Sequence, residues 1–175
     1  MEPSLTTKYV EVIKRIYQYV PTGIAKPNLA LMTSLAAAFD NPQHSYKCIH
    51  IAGTNGKGSV SVKCAAALQN AGYKTGLFVS PHITSFRERI QVNRQKIDQE
   101  TVVRLATRVL DVLPGLTKEQ QPSFFDVITM MAFLKFQEEK VDFAVLECGL
   151  GGRLDATNVC HPTVTAITSI GLDHC

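Results

Sequence analysis

The sequence has no tryptophan among its 175 residues, and aromatic side chains make up only 7%. Core volume must therefore come from aliphatic residues, and a hydrophobic content of 45% is enough to bury a full core. Charge is sparse as well, at 19%, and nearly balanced: 18 basic against 15 acidic side chains give a formal net charge of +3. So small an excess, with no dense Lys/Arg cluster, excludes a nucleic-acid footprint. No apolar run approaches the roughly 18 residues a membrane helix needs, so no membrane partner is expected. The opening MEPSLTTKY has an early acid and no apolar stretch, unlike a secretory signal. The segment from Thr6 to Tyr19 is mildly basic and amphipathic, as in a mitochondrial presequence, but Glu2 and Glu11 argue against one. A cytoplasmic location is the expectation, with a mitochondrial one left open.

C-x-x-C pairs are also lacking. The five cysteines, Cys48, Cys64, Cys148, Cys160 and Cys175, are an odd count, and three lie in strongly apolar segments where Cys behaves as a small hydrophobe. A reduced, intracellular setting follows. Cys160-His161 and His174-Cys175 do not make a zinc site by spacing, because neighbours in an extended chain point to opposite sides.

What is present is alternation of strand and helix within one domain. Ser4 to Tyr19 reads as a helix with Ser4 as N-cap, and Asn28 to Phe39 as a second, ended by Asn41-Pro42. These leading helices fill residues 1–45, and a P-loop α/β core fills 46–175. Cys48 to Ala52 is a short apolar strand, Ser59 to Ala71 a helix, Thr75 to Ser80 a strand, and Ile90 to Asn93 a weaker one. Asp98 and Ser123 cap helices reaching about Leu113 and Glu139. Val141 to Cys148 and Thr163 to Ile170 are buried-strand candidates. Near-continuous apolar strands between helices predict an α/β fold with a mostly parallel sheet covered on both faces.

CIHIAGTNGKGSV is the most informative stretch: strand, glycine-rich turn, then helix. Gly53, Thr54, Asn55, Gly56, Lys57, Gly58 and Ser59 are the predicted nucleotide-phosphate site. Glycines let backbone N–H groups turn inward around an anion, and the following helix aims its N-terminus at the same spot. Lys57 would reach the β/γ-phosphates, and Ser59 sits where a P-loop hydroxyl faces Mg²⁺. The match to G-x-x-x-x-G-K-[ST] is imperfect, since Gly53 lies three residues before Gly56 and Gly58 separates Lys57 from Ser59. The alternative is an ordinary glycine-rich turn. A dinucleotide site is disfavoured, because G-x-G-x-x-G is absent.

Ligands of open parallel sheets bind outside the carboxyl ends of the strands. Besides the phosphate loop, those ends carry Ser80-Pro81-His82, then Glu147 followed by GLGGR, then Gly171-Leu172-Asp173-His174. An acid ending an apolar strand is the arrangement that supports Mg²⁺ or its waters. The alternative for Glu147 is a plain ion pair with Arg153. Phe124 and Phe125 also read as helix packing, and Arg87 and Arg89 as residues of a solvated loop.

Together, HIAGTNGKGSV, GLFVSPHITSFRERI, SFFDVITMMAF, LECGLGGRLDATN and TSIGLDH resemble the folylpolyglutamate synthase/dihydrofolate synthase family of the Mur ligase superfamily, in family order and over nearly the whole chain. The resemblance implies an ATP- and magnesium-dependent ligation: a folate or dihydropteroate carboxylate is phosphorylated, and the amine of L-glutamate attacks the acyl phosphate. It implies the triphosphate on Thr54, Asn55, Gly56 and Lys57, and a first magnesium on Ser80 and Glu147. His174 matches a ligand of a second magnesium. Lys57, Glu147 and His174 are thereby the expected catalytic residues. Ser123, Phe124, Phe125 and Asp126, with Leu154, Asp155 and Ala156, match the pterin-side segments, although the family usually has Glu where Asp126 stands. The partners implied are small molecules, and a monomer is expected at full length. Family members continue past the position of Cys175 with a modified lysine and a C-terminal glutamate-ligase domain. The expectation is therefore an incomplete Mur ligase central domain, binding nucleotide weakly and not ligating glutamate. The rival expectations are a P-loop kinase or NTPase, and a non-catalytic nucleotide-binding fragment.

Overall fold

The computed structural model describes residues 2–19, 29–113 and 122–172. Its elements are α1 (Leu5–Tyr17), α2 (Leu29–Ala37), β1 (Lys47–Ala52), α3 (Lys57–Asn70), β2 (Thr75–Phe78), β3 (Ile90–Val92), β4 (Gln95–Lys96), α4 (Gln99–Leu110), α5 (Phe124–Glu138), β5 (Phe143–Glu147) and β6 (Val164–Ile167). The sheet has six strands in the order β4-β3-β2-β5-β1-β6. β2, β5, β1 and β6 run parallel, and β3 and β4 extend the sheet as an antiparallel edge. The mostly parallel α/β prediction holds. The two-residue β4 was not foreseen, being too short and polar to show a strand pattern.

Local chemistry sets the helix starts. The Ser4 hydroxyl accepts from Thr7 N, the Asp98 carboxylate from Thr101 N, and the Ser123 hydroxyl from Asp126 N. Val12 and Ile16 of α1, and Val102, Leu105, Ala106 and Val109 of α4, form the apolar faces of two amphipathic helices. α5 is buried along nearly its whole length and lies at the centre of the larger core, with α1, α2 and α4 around it. The leading helices thus share the core of the α/β unit. Gly76 lets α5 come close to the sheet: a Cβ there would stand 2.6 Å from the Phe136 ring.

α3 covers the other face, over a smaller core of Ile51, Ala65, Leu77 and Val145. Strand side chains alternate between faces. Ala144 and Leu146 of β5 therefore join the α5 side, and Val145 and Glu147 the α3 side. β6 corrects the expectation of a buried strand. Val164 is 53% exposed, Ile167 68% and Ile170 79%. β6 is an edge, paired with β1 alone among the described residues, so its apolar composition does not translate into burial.

Candidate functional site

β1 lies between β5 and β6, with Ile51 in register with both Glu147 and Ala166. The carboxyl ends of β1, β2, β5 and β6 consequently meet at one edge of the sheet, and the predicted phosphate loop leaves that edge at Gly53. The turn needs glycine there: φ is +131°, and an added Cβ would stand 2.0 Å from Thr168 Oγ1. The loop is tied to the chain after β6. Thr54 N donates to Ser169 O at 2.7 Å, and Gly171 N donates to Thr54 Oγ1 at 3.0 Å.

α3 begins without a side-chain cap. Its N-cap is Gly56 in the left-handed region, and no acid stands in its first turn. Nothing approaches within 4 Å of where a Gly56 Cβ would sit. The N-terminal N–H groups of a fourteen-residue helix suit an anion, and that of Gly58 already meets the Glu147 carboxylate. The Lys57 ammonium folds back on the loop, donating to Gly53 O at 2.9 Å and Thr54 O at 3.1 Å. Ser59 is exposed.

Glu147 is only 3% exposed, and no ion pair with it occurs among the described residues. Its Oε2 accepts from Ser80 N at 2.9 Å, and the backbone N–H of Gly58 also supports the carboxylate. Burial pushes its pKa up, opposed by the Ser80 N–H and by the charges of Lys57 and Arg89. Arg153 is exposed and not paired with it, which removes the ion-pair alternative. Glu147 and Ser80 form an all-oxygen donor pair of the kind a hard divalent cation takes. A buried carboxylate with no ion pair among the described residues is the observation such an ion would answer. His174 lies outside the described residues.

The expected substrate-side residues divide into two groups. Ser123 and Asp126 are a capping box, with Ser123 N and Oγ both donating to Asp126 Oδ2 at 2.7 Å. This fixes the start of α5, where Phe124 meets Tyr17 (centroids 4.9 Å apart) and Phe125 meets Phe78 (5.7 Å). Phe125 also presses on Gly149, where a Cβ would stand 2.6 Å from the ring. Leu154 is 49% exposed, whereas Asp155 and Ala156 are buried. The Asp155 side chain turns inward: Oδ2 accepts from Gly149 N at 2.8 Å and Leu150 N at 2.9 Å, and Oδ1 from Thr157 N and its hydroxyl. All its bonding is to its own loop, so its carboxylate shapes that loop.

Behind Asp155 stands a buried relay that the sequence reading missed. His50 Nε2 lies 2.7 Å from Thr157 Oγ1 and 3.0 Å from Cys148 Sγ. The Thr157 hydroxyl gives its one proton to Asp155, so it must accept from His50, whose proton is then on Nε2. Burial lowers the His50 pKa, in keeping with a neutral ring, and pushes the Cys148 thiol up to about 12. The signal was a single polar residue inside the apolar CIHIA run. His50, Cys148 and Asp155 are also the one group of three such side chains close enough to share a metal among the described residues. Each is already engaged in the relay.

Arg89 corrects the solvated-loop expectation: it is 8% exposed. Its Nε donates to His82 Nδ1 at 2.8 Å, and its Cζ stands 5.3 Å from the Phe124 ring centroid. The adjoining Ile90, which opens β3, draws it inward.

No family model matches the chain. It is 43% identical over 171 residues to the dihydrofolate synthase/folylpolyglutamate synthase of Bacillus subtilis, covering 96% of this chain and 40% of that protein. The crystal structure of folylpolyglutamate synthase from Thermotoga maritima matches it with a TM-score of 0.91 at 43% identity, over 97% of this chain and 39% of that one. A folylpolyglutamate synthase in complex with AMPPCP and folate matches with a TM-score of 0.88 at 35% identity, over 95% of this chain and 41% of that one. The chain therefore spans about two fifths of the length of these relatives. Over that span, it carries the sequence and the fold of the folylpolyglutamate synthase/dihydrofolate synthase family.

Proposed function

We propose that this chain forms the nucleotide- and acceptor-binding part of an ATP-dependent ligase that joins L-glutamate to the carboxylate of a folate or dihydropteroate. The observation that carries this reading is Glu147. It is a buried carboxylate without an ion pair among the described residues, held by Ser80 N and the Gly58 N–H beside an uncapped, glycine-led helix start. Such a position suits a nucleotide triphosphate with its cation, and the relative solved with AMPPCP and folate shares the fold.

The reaction brings two anions together. The acceptor carboxylate takes the terminal phosphoryl group of ATP, and ADP leaves. The glutamate amine then attacks the acyl carbon, phosphate departs, and an amide forms with loss of a proton. In this chain, the N-terminal N–H groups of α3 and the Gly53–Ser59 turn hold the phosphates. Lys57, released from its own loop carbonyls, places a positive charge on them. Ser80 and Glu147 would hold Mg²⁺, which supplies charge neutralisation on the phosphoryl oxygens. Phe124, Phe125 and exposed Leu154 offer the apolar wall for a flat acceptor, and Asp155 fixes the loop that carries Leu154. His174 is proposed as a further metal ligand on the resemblance alone. The setting proposed is cytoplasmic, or mitochondrial as in some eukaryotic relatives.

Equilibrium binding tests both halves of the reading. AMPPCP with Mg²⁺ and pteroate should each bind this chain, and saturation with one should leave the other's site available. Failure of AMPPCP to bind overturns the nucleotide side, and failure of pteroate overturns the acceptor side.

A further inference from the structure

Arg89 is a buried cation that forms no ion pair among the described residues. No carboxylate among the described residues lies within ion-pair distance of it. A guanidinium carries five N–H donors. One is used on His82 Nδ1, and the others meet no protein acceptor among the described residues. Burying a charge in that condition is costly, yet the fold holds it firmly. Arg89 O accepts from Val79 N at 3.0 Å, next to Ser80, and the side chain lies against the Phe124 ring. The His82 ring, accepting at Nδ1, is neutral and aims the guanidinium.

Position identifies the missing anion. Val79 N bonds to Arg89 O, the next N–H, of Ser80, bonds to Glu147, and Gly58 next to Lys57 lies against the same carboxylate, so all three share one locality. Lys57 belongs to the phosphate loop. Arg89 belongs to the aromatic side, where Tyr17 and Phe86 lie 4.9 Å and 6.4 Å from the same Phe124 ring. An anion carried by a flat organic molecule suits that aromatic setting. A planar N–H fork matches a carboxylate through two parallel hydrogen bonds, which an ammonium cannot do.

We propose that Arg89 binds the carboxylate of the acceptor substrate and seats it beside Glu147, with His82 as the positioning residue; this rests on the ligase reading above. Binding of the acceptor then depends on its charge as well as on its aromatic surface.

The test compares pteroate with its carboxamide, identical except that the carboxylate is a neutral amide, on this chain. Wild type should prefer the acid by about tenfold to a hundredfold, as expected for a desolvated, charge-assisted bidentate contact. Arg89→Gln should bring that preference to about one while retaining carboxamide and AMPPCP binding, the latter reporting an intact fold. Arg89→Lys should keep only part of it. Equal binding of both ligands to wild type overturns the proposal without any variant, and so does a preference that survives in Arg89→Gln. If wild type binds neither ligand, the acceptor side of the ligase reading falls, and this inference with it.

Discussion

A methyl group at position 53 has nowhere to go. An alanine there would carry φ of +131° and place its Cβ 2.0 Å from Thr168 Oγ1 and 3.0 Å from Thr168 N. A side chain in so sparsely populated a region costs on the order of 1–3 kcal/mol. Thr168 cannot simply rotate away, because its hydroxyl and its N–H both donate to Ala52 O, at 3.2 Å and 2.9 Å. Losing the hydroxyl bond costs about 1 kcal/mol. Gly53→Ala should therefore destabilise the chain by about 3 kcal/mol, the strain and the lost bond together. Thr168→Ala alone should cost about 1 kcal/mol. The double variant loses the worst overlap but keeps the strained φ and the close approach to the Thr168 backbone. It should be less destabilised than the sum of the single variants by about 1 kcal/mol. Gly56→Ala is the control: φ is +83° but nothing lies within 4 Å, so only the left-handed backbone term of about 1–2 kcal/mol applies. Urea unfolding midpoints at constant m-value measure all four. A Gly53→Ala chain as stable as wild type, or strict additivity in the pair, would show that the approach of Thr168 does not constrain position 53.

Three further outcomes are expected. Lys57→Ala should weaken AMPPCP far more than adenosine in calorimetric titrations, since Lys57 is proposed to meet the phosphates of the nucleotide and no other part of it; an equal loss for both ligands would mean the loop is merely structural. Thr157→Val keeps the shape but breaks the relay between His50 and Asp155, leaving buried partners unmatched at a cost of about 1–3 kcal/mol; unchanged thermal unfolding would contradict that. Bonds from Lys135 and Lys74 hold the Glu139 carboxyl down at about 2, against 4.5 unperturbed. Its folded-state pKa is depressed, so its stabilisation is full above about 4.5 and fades as pH falls toward about 2. The stability gap between wild type and Glu139→Gln should close across that interval, and a gap that stays constant on acidification would count against the ion-pair network.

Most of the fold was legible because its signals are local. Ser4, Asp98 and Ser123 announced three helix starts, and the apolar runs of β1, β2 and β5 announced a buried parallel sheet. β6 reads the same way but stands exposed, because composition does not say which strand occupies an edge. The Gly53–Ser59 turn and Glu147 stood out as candidates because ligands of open parallel sheets bind at strand ends. What surrounds them was not. Ser80 reaches Glu147 through its backbone N–H, Asp155 turns inward to its own loop, and Arg89 is buried beside Phe124. The Ser80 and Arg89 contacts join segments distant in sequence, and the Asp155 contacts depend on how its own loop turns, which no spacing rule encodes. The relay behind Asp155 needs a histidine and a threonine 107 positions apart.

The cation proposed at Glu147 beside the phosphate loop is the feature on which the ligase reading most depends. Calorimetric titration of AMPPCP into the wild-type chain and into Glu147→Gln, each with Mg²⁺ and with excess EDTA, measures it. Glutamine keeps the side-chain volume, so unfolding should show both chains folded. Mg²⁺ should strengthen binding to wild type by at least about tenfold, and this gain should disappear in Glu147→Gln while the weak EDTA-insensitive binding remains. An equal Mg²⁺ gain in both chains would show that the buried carboxylate does not serve the nucleotide.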